Sequence, residues 1–372
     1  MKKAVLNCIT ALVLLPCVGA AAKEVRHEIH FPNLPGLQTL KCDLHMHTVF
    51  SDGAVWPTER VNEAWRQGLD VISITDHIEY QPHNNDLPTN HGRGHDLALD
   101  NAEVHNLLLA RGAEITRETP PGHFNAVFLS DVAKLDTPEF LDAIKAANRQ
   151  EAFVFWNHQG WQGEEKGRWL EIHTTMFDGK MFQGMEICNG GSYYPTAHKW
   201  CLEKNLTMLG NSDIHEPDLL QKSTAAEHRT MTLVFARERT LEAVKEALLA
   251  GRTAVWFKDK LIGRSEYLEP LFAGAIQVVQ PVLRSGKTAW LQIHNSCDAN
   301  ITLVRRGGNG PGKVVFPAQT TTLVRIDLAT PDTPLDLRYT ATNFLVAPET
   351  GLPVVINAVE EAGGMVPAAS DG

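Results

Sequence analysis

Nine residues of metal-binding type stand near the ends of short apolar runs. His45 and His47 close the run 40–47 two residues apart, a spacing that in extended backbone puts both imidazoles on one face, within reach of one cation. Asp213 and His215 repeat the arrangement after the run 206–211. His77 follows the run 71–76, Glu114 follows a stretch of small residues, and His158 follows the run 153–157. Asp52, between Ser51 and Gly53, and His123, between Gly122 and Phe124, complete the set. Any one of them alone would read as a structural histidine or a turn carboxylate. Together, six histidines and three carboxylates at such positions fit a cluster of more than one divalent metal. Bridged metals lower the pKa of bound water and clamp the attacking and leaving oxygens of a displacement at phosphorus.

Residues so far apart meet only if the fold converges their strand ends. From about residue 38 to 257, β-branched apolar runs (40–47, 70–76, 113–115 with 124–129, 152–158, 184–188, 206–213 and 231–235) alternate with segments of helical period. Helix starts are recognisable at Pro57, Thr58 and Glu59, running to Gln67 and closing at Gly68; at Thr137, Pro138 and Glu139, running through Lys145; and at Thr240, stopping at Gly251. This rhythm predicts a β/α barrel, whose C-terminal strand ends share one mouth. The long, polar, turn-rich segment from Tyr80 to His95 directly follows a strand and is expected over that mouth. After about Gly263 the helical period disappears, and strand-like runs separated by Gly, Pro and Asn/Asp turns predict an all-β, sandwich-like module with no cluster of metal-type ligands. The organisation expected is therefore a leader at 1–22, a catalytic barrel at 23–262 and an accessory β domain at 263–372 ending in a frayed tail.

The chain has 372 residues and a formal net charge of -10, an unsuitable balance for a protein whose main task is gripping a nucleic-acid backbone. Lys2 and Lys3, the apolar run behind them and the small residues Ala20 to Ala22 form a cleavable export signal, so the mature protein is expected in the periplasm or outside the cell with no membrane span. Pro16 before Cys17 argues against lipidation. The four later cysteines, Cys42, Cys188, Cys201 and Cys297, are too widely spaced for a thiolate metal site or a redox motif and read as buried thiols.

The motifs Asp43 to Gly53, Ile74 to His77, Glu114, His123, Asn157 with His158, and Ser212 to His215 occur in the order found in the PHP family, named for polymerases and histidinol phosphatases. The match spans residues 38–257. The resemblance implies a distorted seven-stranded β/α barrel and a phosphoric ester hydrolase with a trinuclear centre of Zn, Mn or Fe and a metal-bound hydroxide. It also implies the ligand sets: His45, His47, Glu114 and Asp213 on one metal; Glu114 bridging to a second held by His123 and His158; Asp52, His77 and His215 on the third. Arg117, and Arg93 with His95 in the long segment, are candidates for holding phosphate oxygens or protonating the leaving group. The expected substrate is a small phosphorylated molecule, a monoester or short diester, rather than nucleic acid. Two other readings stand beside it: an amidohydrolase-type hydrolase of C–N or lactone bonds, and a non-catalytic glycan- or ligand-binding protein with a vestigial metal site.

Overall fold

The computed structural model describes residues 25–220 and 222–358; the leader at 1–22 and the terminal tail lie outside the described residues. Strands β1 (Gln38–Asp43), β2 (Val71–Ile74) and β3 (Leu108–Ile115) run parallel, and β4 (Phe124–Val127) returns antiparallel to β3. Next come β5 (Phe153–Trp156), antiparallel to β4, then β6 (Gly184–Asn189) and β8 (Thr207–Asn211), both parallel to their neighbours, with the two-residue β7 (Ser192–Tyr193) folded back on β6. On the other side of β1, β9 (Met231–Ala236), β10 (Thr253–Phe257) and β11 (Lys260–Gly263) add in antiparallel succession. The seven predicted runs thus appear as strands of the barrel, the third run as the β3–β4 hairpin. Sequence rhythm missed β7, β10 and β11.

The barrel closes where β1 leaves β9. Beyond Asp43 the chain turns to β8: Leu44 N donates to Asn211 Oδ1 (2.8 Å), Asp213 N to His45 O (2.9 Å) and His47 N to Ile214 O (3.1 Å). Lower down, side chains bridge the seam instead of a ladder. Gly210 N donates to Thr232 Oγ1 (2.9 Å), whose hydroxyl donates to Gly210 O (2.8 Å), and Thr253 Oγ1 donates to Met208 O (2.8 Å). A Cβ on Gly210 would lie 2.2 Å from Val255 Cγ1, so this approach of β8 to β10 requires glycine.

Among the described residues seven α-helices pack around these strands: α1 (Pro57–Arg66), α2 (Arg93–Val104), α3 (Phe140–Asn148), α4 (Glu171–Asp178), α5 (Pro195–Lys204), α6 (Leu241–Leu249) and α7 (Ser265–Ala275). Thr240 caps α6 by accepting from Ala243 N (3.2 Å). Helix α6 touches β3, β5 and β9, and Leu248 O accepts from Thr207 Oγ1 at the start of β8 (2.7 Å). It therefore plugs the end of the barrel opposite the strand termini that carry the histidines, sharing a core with Leu40, Cys42, Leu44, Phe153, Phe155 and Leu209.

Two expectations are corrected. Helix α2 begins at Arg93, so Arg93 and His95 are helical rather than part of the loop, which covers only the turns before them. Helical structure also continues past Gly263: α7 carries Pro270 inside it and buries Leu268, Leu271 and Phe272.

The C-terminal strands β12 (Ile276–Ser285), β13 (Thr288–Asn295) and β16 (Thr320–Asp327) form one sheet of the β module. The others, β14 (Ile301–Gly308), β15 (Lys313–Phe316), β17 (Leu337–Ala347) and β18 (Thr350–Val355), form the second, which joins the barrel sheet through parallel pairing of β17 with β11. Phe344 sits in that join, opposite Leu261 and edge-on to Phe272 (5.9 Å). One apolar cluster runs from Phe235 and Trp256 of the barrel through α7 to Leu291, Leu303 and Tyr339, so the barrel and the β module share a core. Cys42, Cys188, Cys201 and Cys297 are buried free thiols. Among the described residues no helix is long and apolar enough to cross a membrane.

Helix α5 carries a fully buried histidine, His198, whose Nδ1 lies 2.8 Å from the Tyr193 hydroxyl. Burial, with Arg264 nearby, lowers its pKa to about 4. The folded protein thus holds His198 neutral where the unfolded chain takes up a proton, and stability falls as pH drops from about 6.5 toward 4. Urea unfolding at pH 7 and 4.5 should show His198→Gln losing about 2 kcal/mol less than wild type on acidification; equal losses would mean that His198 does not titrate this way.

Candidate metal centre

The seam of the barrel brings the nine residues together. His45 Nε2 lies 3.1 Å from His47 Nε2, 3.1 Å from Glu114 Oε2 and 3.1 Å from Asp213 Oδ1. His47 Nε2 lies 3.2 Å from Glu114 Oε2 and 3.1 Å from Asp213 Oδ1. A tetrahedral arrangement of ligands about 2.0 to 2.1 Å from a metal has edges of about 3.3 Å, so these spacings are close to those of ligands sharing one metal.

Their neighbours set the tautomers. His45 Nδ1 donates to Glu186 Oε1 (2.8 Å), and Glu186, completely buried, also accepts from His158 N (2.9 Å), Asn189 Nδ2 (2.8 Å) and Asn211 Nδ2 (2.9 Å). His47 Nδ1 faces Ser51 Oγ (3.3 Å), whose proton goes to Asp76 Oδ1 (2.8 Å). Both Nε2 atoms are then left with lone pairs, which point at each other and at two carboxylate oxygens. Without a cation the four would repel, and the metal-free form answers by taking up protons. Burial alone would disfavour the His47 imidazolium, but the hydrogen bonds it donates to Asp213 and Glu114 hold its pKa near 9. The same balance raises His45 and His158, and the facing histidines pull Glu114 and Asp213 well below the usual carboxylate range despite their burial.

Glu114 extends the cluster in a second direction. Its Oε1 lies 2.8 Å from His123 Nδ1 and 3.6 Å from His158 Nε2, while Asp213 Oδ2 is 3.9 Å from the same His158 nitrogen. A third group forms around Asp52, whose Oδ1 is 3.4 Å from His77 Nε2 and 3.2 Å from His215 Nε2. Thr116 Oγ1 engages His77 Nδ1 (2.5 Å), and His215 Nδ1 donates to Asp213 O (2.8 Å), so both histidines turn Nε2 toward Asp52. Asp52 Oδ1, Glu114 Oε1 and His123 Nδ1 are buried and have no hydrogen-bond partner. Orphaned acceptors and lone pairs of this kind fit divalent cations, and the four groups of possible ligands (His45, His47 and Glu114; His45, His158 and Asp213; Glu114, His123 and His158; His47, Asp52, His77 and His215) share members throughout.

Local backbone geometry aims these side chains. His158 and Asp213 have φ of 25° and 52°, an uncommon conformation for residues other than glycine. Asp76 accepts from Thr48 N (2.7 Å), Thr48 Oγ1 (2.7 Å) and Ser51 Oγ, folding the turn that presents Asp52. A Cβ on Gly53 would come within 2.6 Å of the His47 carbonyl carbon, so that turn closes only with glycine. Arg60, fully buried, donates to His47 O (2.8 Å), Glu216 O (2.8 Å) and His215 O (2.5 Å), tying the chain ends on either side of the site.

The structure does not bring Arg93, His95 or Arg117 to this cavity. Arg93 is exposed on α2. His95 hydrogen-bonds Asp96 (3.4 Å) and lines a different cavity, of about 370 Å³, with Leu109, Arg111 and Lys245. Arg117 is ion-paired to Glu79 and donates to Thr137 O (3.1 Å). Conversely, sequence reasoning passed over Glu186, Asn211 and Arg60. The one visible signal was a carboxylate, Glu186, inside an apolar strand.

An Ig-like domain family model matches residues 276–357. Over 90% of this chain and 99% of the other, the structure is similar, at 43% identity and a TM-score of 0.85, to a two-domain protein of Bacteroides vulgatus containing a predicted PHP-like metal-dependent phosphoesterase. Two curated relatives match shorter stretches: the DNA polymerase/3'-5' exonuclease PolX of Bacillus subtilis, 30% identical over 102 residues, and a 5'-3' exoribonuclease of Haemophilus influenzae, 49% identical over 39. These cover 27% and 10% of this chain and only 18% and 14% of the respective relatives. With the fold, the site and the first of these likenesses in agreement, the chain belongs to the PHP-like metal-dependent phosphoesterases. It is a phosphoric ester hydrolase with an Ig-like C-terminal domain.

Because Glu114 faces His45 and His47 on one side and His123 and His158 on the other, whereas Glu186 acts only through His45 and its surroundings, the two should fail differently. Glu114→Ala should purify with less than half the metal of wild type and without activity. Glu186→Gln, which keeps shape but weakens the His45 hydrogen bond, should lower metal affinity about 10- to 100-fold and recover activity in excess metal. Elemental analysis and metal titration would show this; full metal content in Glu114→Ala would contradict the geometry's reading.

Proposed function

We propose that the protein is an exported hydrolase of small phosphoesters, a monoester or a short diester, using three divalent metals. His45, His47, Glu114 and Asp213 would hold the first, Glu114 with His123 and His158 the second, and Asp52, His77 and His215 the third. The observation that carries this reading is the division of Glu114, with Oε2 at 3.1 Å and 3.2 Å from the His45 and His47 nitrogens and Oε1 at 2.8 Å from His123. One carboxylate set between two groups of lone pairs is what a bridging ligand requires. Zn, Mn or Fe bound there would supply Lewis-acid charge and lower the pKa of water.

The chain's own residues hold, orient and enclose. Glu186, Ser51, Thr116 and the Asp213 carbonyl fix the histidine tautomers, and Asn189 donates to Glu186 Oε2 (2.8 Å) and Asp213 Oδ2 (3.2 Å), bracing the rim. The cavity over the cluster has a volume of about 340 Å³ and is lined by Asp52, His77, Glu114, His123, His158, Trp161, Asn189, Asp213 and His215. No lysine or arginine is among them, so phosphate charge is left to the metals and a polyanionic strand finds no cationic track. Small size, the absence of lining cations and the formal charge of -10 together favour a small substrate. Export rests on the leader at 1–22, and the catalytic unit is assigned to 23–262.

A second reading, removal of terminal nucleotides from a nucleic acid, draws on the two curated exonucleases, each matched over a short stretch. Steady-state rates at fixed metal on nitrophenyl phosphate, bis-nitrophenyl phosphate, a nucleoside monophosphate and single-stranded DNA separate the two. The best small ester should exceed DNA in kcat/KM by at least about tenfold, a difference of roughly 1.4 kcal/mol in barrier. DNA as the best substrate would overturn the proposal.

A further inference from the structure

We infer that Trp161 is the residue that selects the organic half of the substrate, and that this half carries a planar ring, aryl or nucleobase. The inference rests on the phosphoesterase reading of the cavity and adds the substrate class. Of the nine lining residues, seven belong to the possible metal-ligand groups and Asn189 is spent on Glu186 and Asp213. Trp161 alone remains to meet whatever is attached to the phosphoryl group. Its ring centroid stands 5.7 Å from those of both His123 and His158, directly beside the part of the cluster that Glu114 Oε1 faces.

Two features separate Trp161 from an incidental surface tryptophan. It is 51% exposed, although it sits within a concave site where an apolar ring gains by being covered. Its loop is also held in place before any ligand arrives. Trp161 N donates to His158 O (3.0 Å), and the buried Gln159 closes the loop by donating to Gly167 O (2.7 Å). A half-covered indole on a loop already closed by these bonds loses little backbone entropy when a flat group packs on it. Stacking on such a platform tolerates any ring with a π-face, which is why the chemistry specified is a planar ring rather than one particular base. The lack of a lining cation points the same way, because discrimination by charge is not available on the organic side of the ester.

The test compares metal-loaded wild type, Trp161→Ala and Trp161→Phe on nitrophenyl phosphate, adenosine 5'-monophosphate and glycerol 2-phosphate, the last having no ring. A second readout, independent of turnover, is calorimetric binding of phenylphosphonate against methylphosphonate. Trp161→Ala should lower the ring-to-ringless ratio of kcat/KM about tenfold, chiefly through KM. It should weaken phenylphosphonate about tenfold while methylphosphonate shifts less than twofold, and Trp161→Phe should restore most of both. A loss confined to the nucleotide identifies the ring as a nucleobase, and a loss confined to the nitrophenyl ester identifies a compact aryl group; either supports the inference. Equal losses on ring and ringless ligands, or no loss, overturn it while leaving the phosphoesterase reading intact. If wild type hydrolyses none of the esters and binds neither phosphonate, both readings fall.

Discussion

The structure is organised around an electrostatic conflict. The Nε2 atoms of His45 and His47 lie 3.1 Å from each other and 3.1 to 3.2 Å from one oxygen each of Glu114 and Asp213, where three of the four side chains are fully buried. Water cannot screen such a group, and burial without a countercharge is costly. A divalent cation resolves it, and protons substitute in its absence. The rest of the site follows from that need: Glu186 keeps one histidine proton facing away, the Ser51–Asp76 pair keeps the other facing away, and the second oxygen of Glu114 is free to serve His123 and His158.

The barrel exists in the form that makes this conflict possible. Here β1 pairs with β9 along its length and transfers to residues 211–214 at its end, which lays His45 and His47 against Asp213 and His215. The lower seam is held by Thr232 and Thr253 hydroxyls, and α6 seals the far end. The Ig-like domain adds nothing to the list of ligands, yet its Phe344 and the barrel's Leu261 lie in one continuous sheet and core.

Much of this was legible in the sequence because of where the ligand types fall. All nine residues stand near strand ends or in the turns beyond them, and parallel strands leave little choice about which end they share. The seven barrel runs, the α6 cap at Thr240 and the all-β C-terminal region were likewise readable from periodicity. What was not legible depends on tertiary partners. Arg117 looks like a phosphate ligand by its distance from Glu114, but Glu79 holds it elsewhere. Arg93 and His95 lie in a stretch with two glycines that reads as loop, yet at Gly94 a Cβ would lie 2.7 Å from Asp76 Oδ2, so the glycine admits the helix rather than ending it. Helix α7 was hidden by Pro270, and β10 and β11 were passed over although neither is shorter than β2, β4 or β5. Glu186 could have been noticed, since a buried carboxylate in an apolar strand needs partners, but only coordinates reveal that they are His45, His158, Asn189 and Asn211.

In the proposed centre Glu114 joins two metals through its two oxygens. Crystals of metal-loaded protein measured on either side of the absorption edges of zinc, iron and manganese would test it most directly. Anomalous difference maps are expected to show one peak enclosed by His45, His47, Glu114 and Asp213, a second on the Glu114 Oε1 side next to His123 and His158, and a third beside Asp52, His77 and His215. A map with no peak at Glu114, or with density on one of its oxygens alone, would contradict the account.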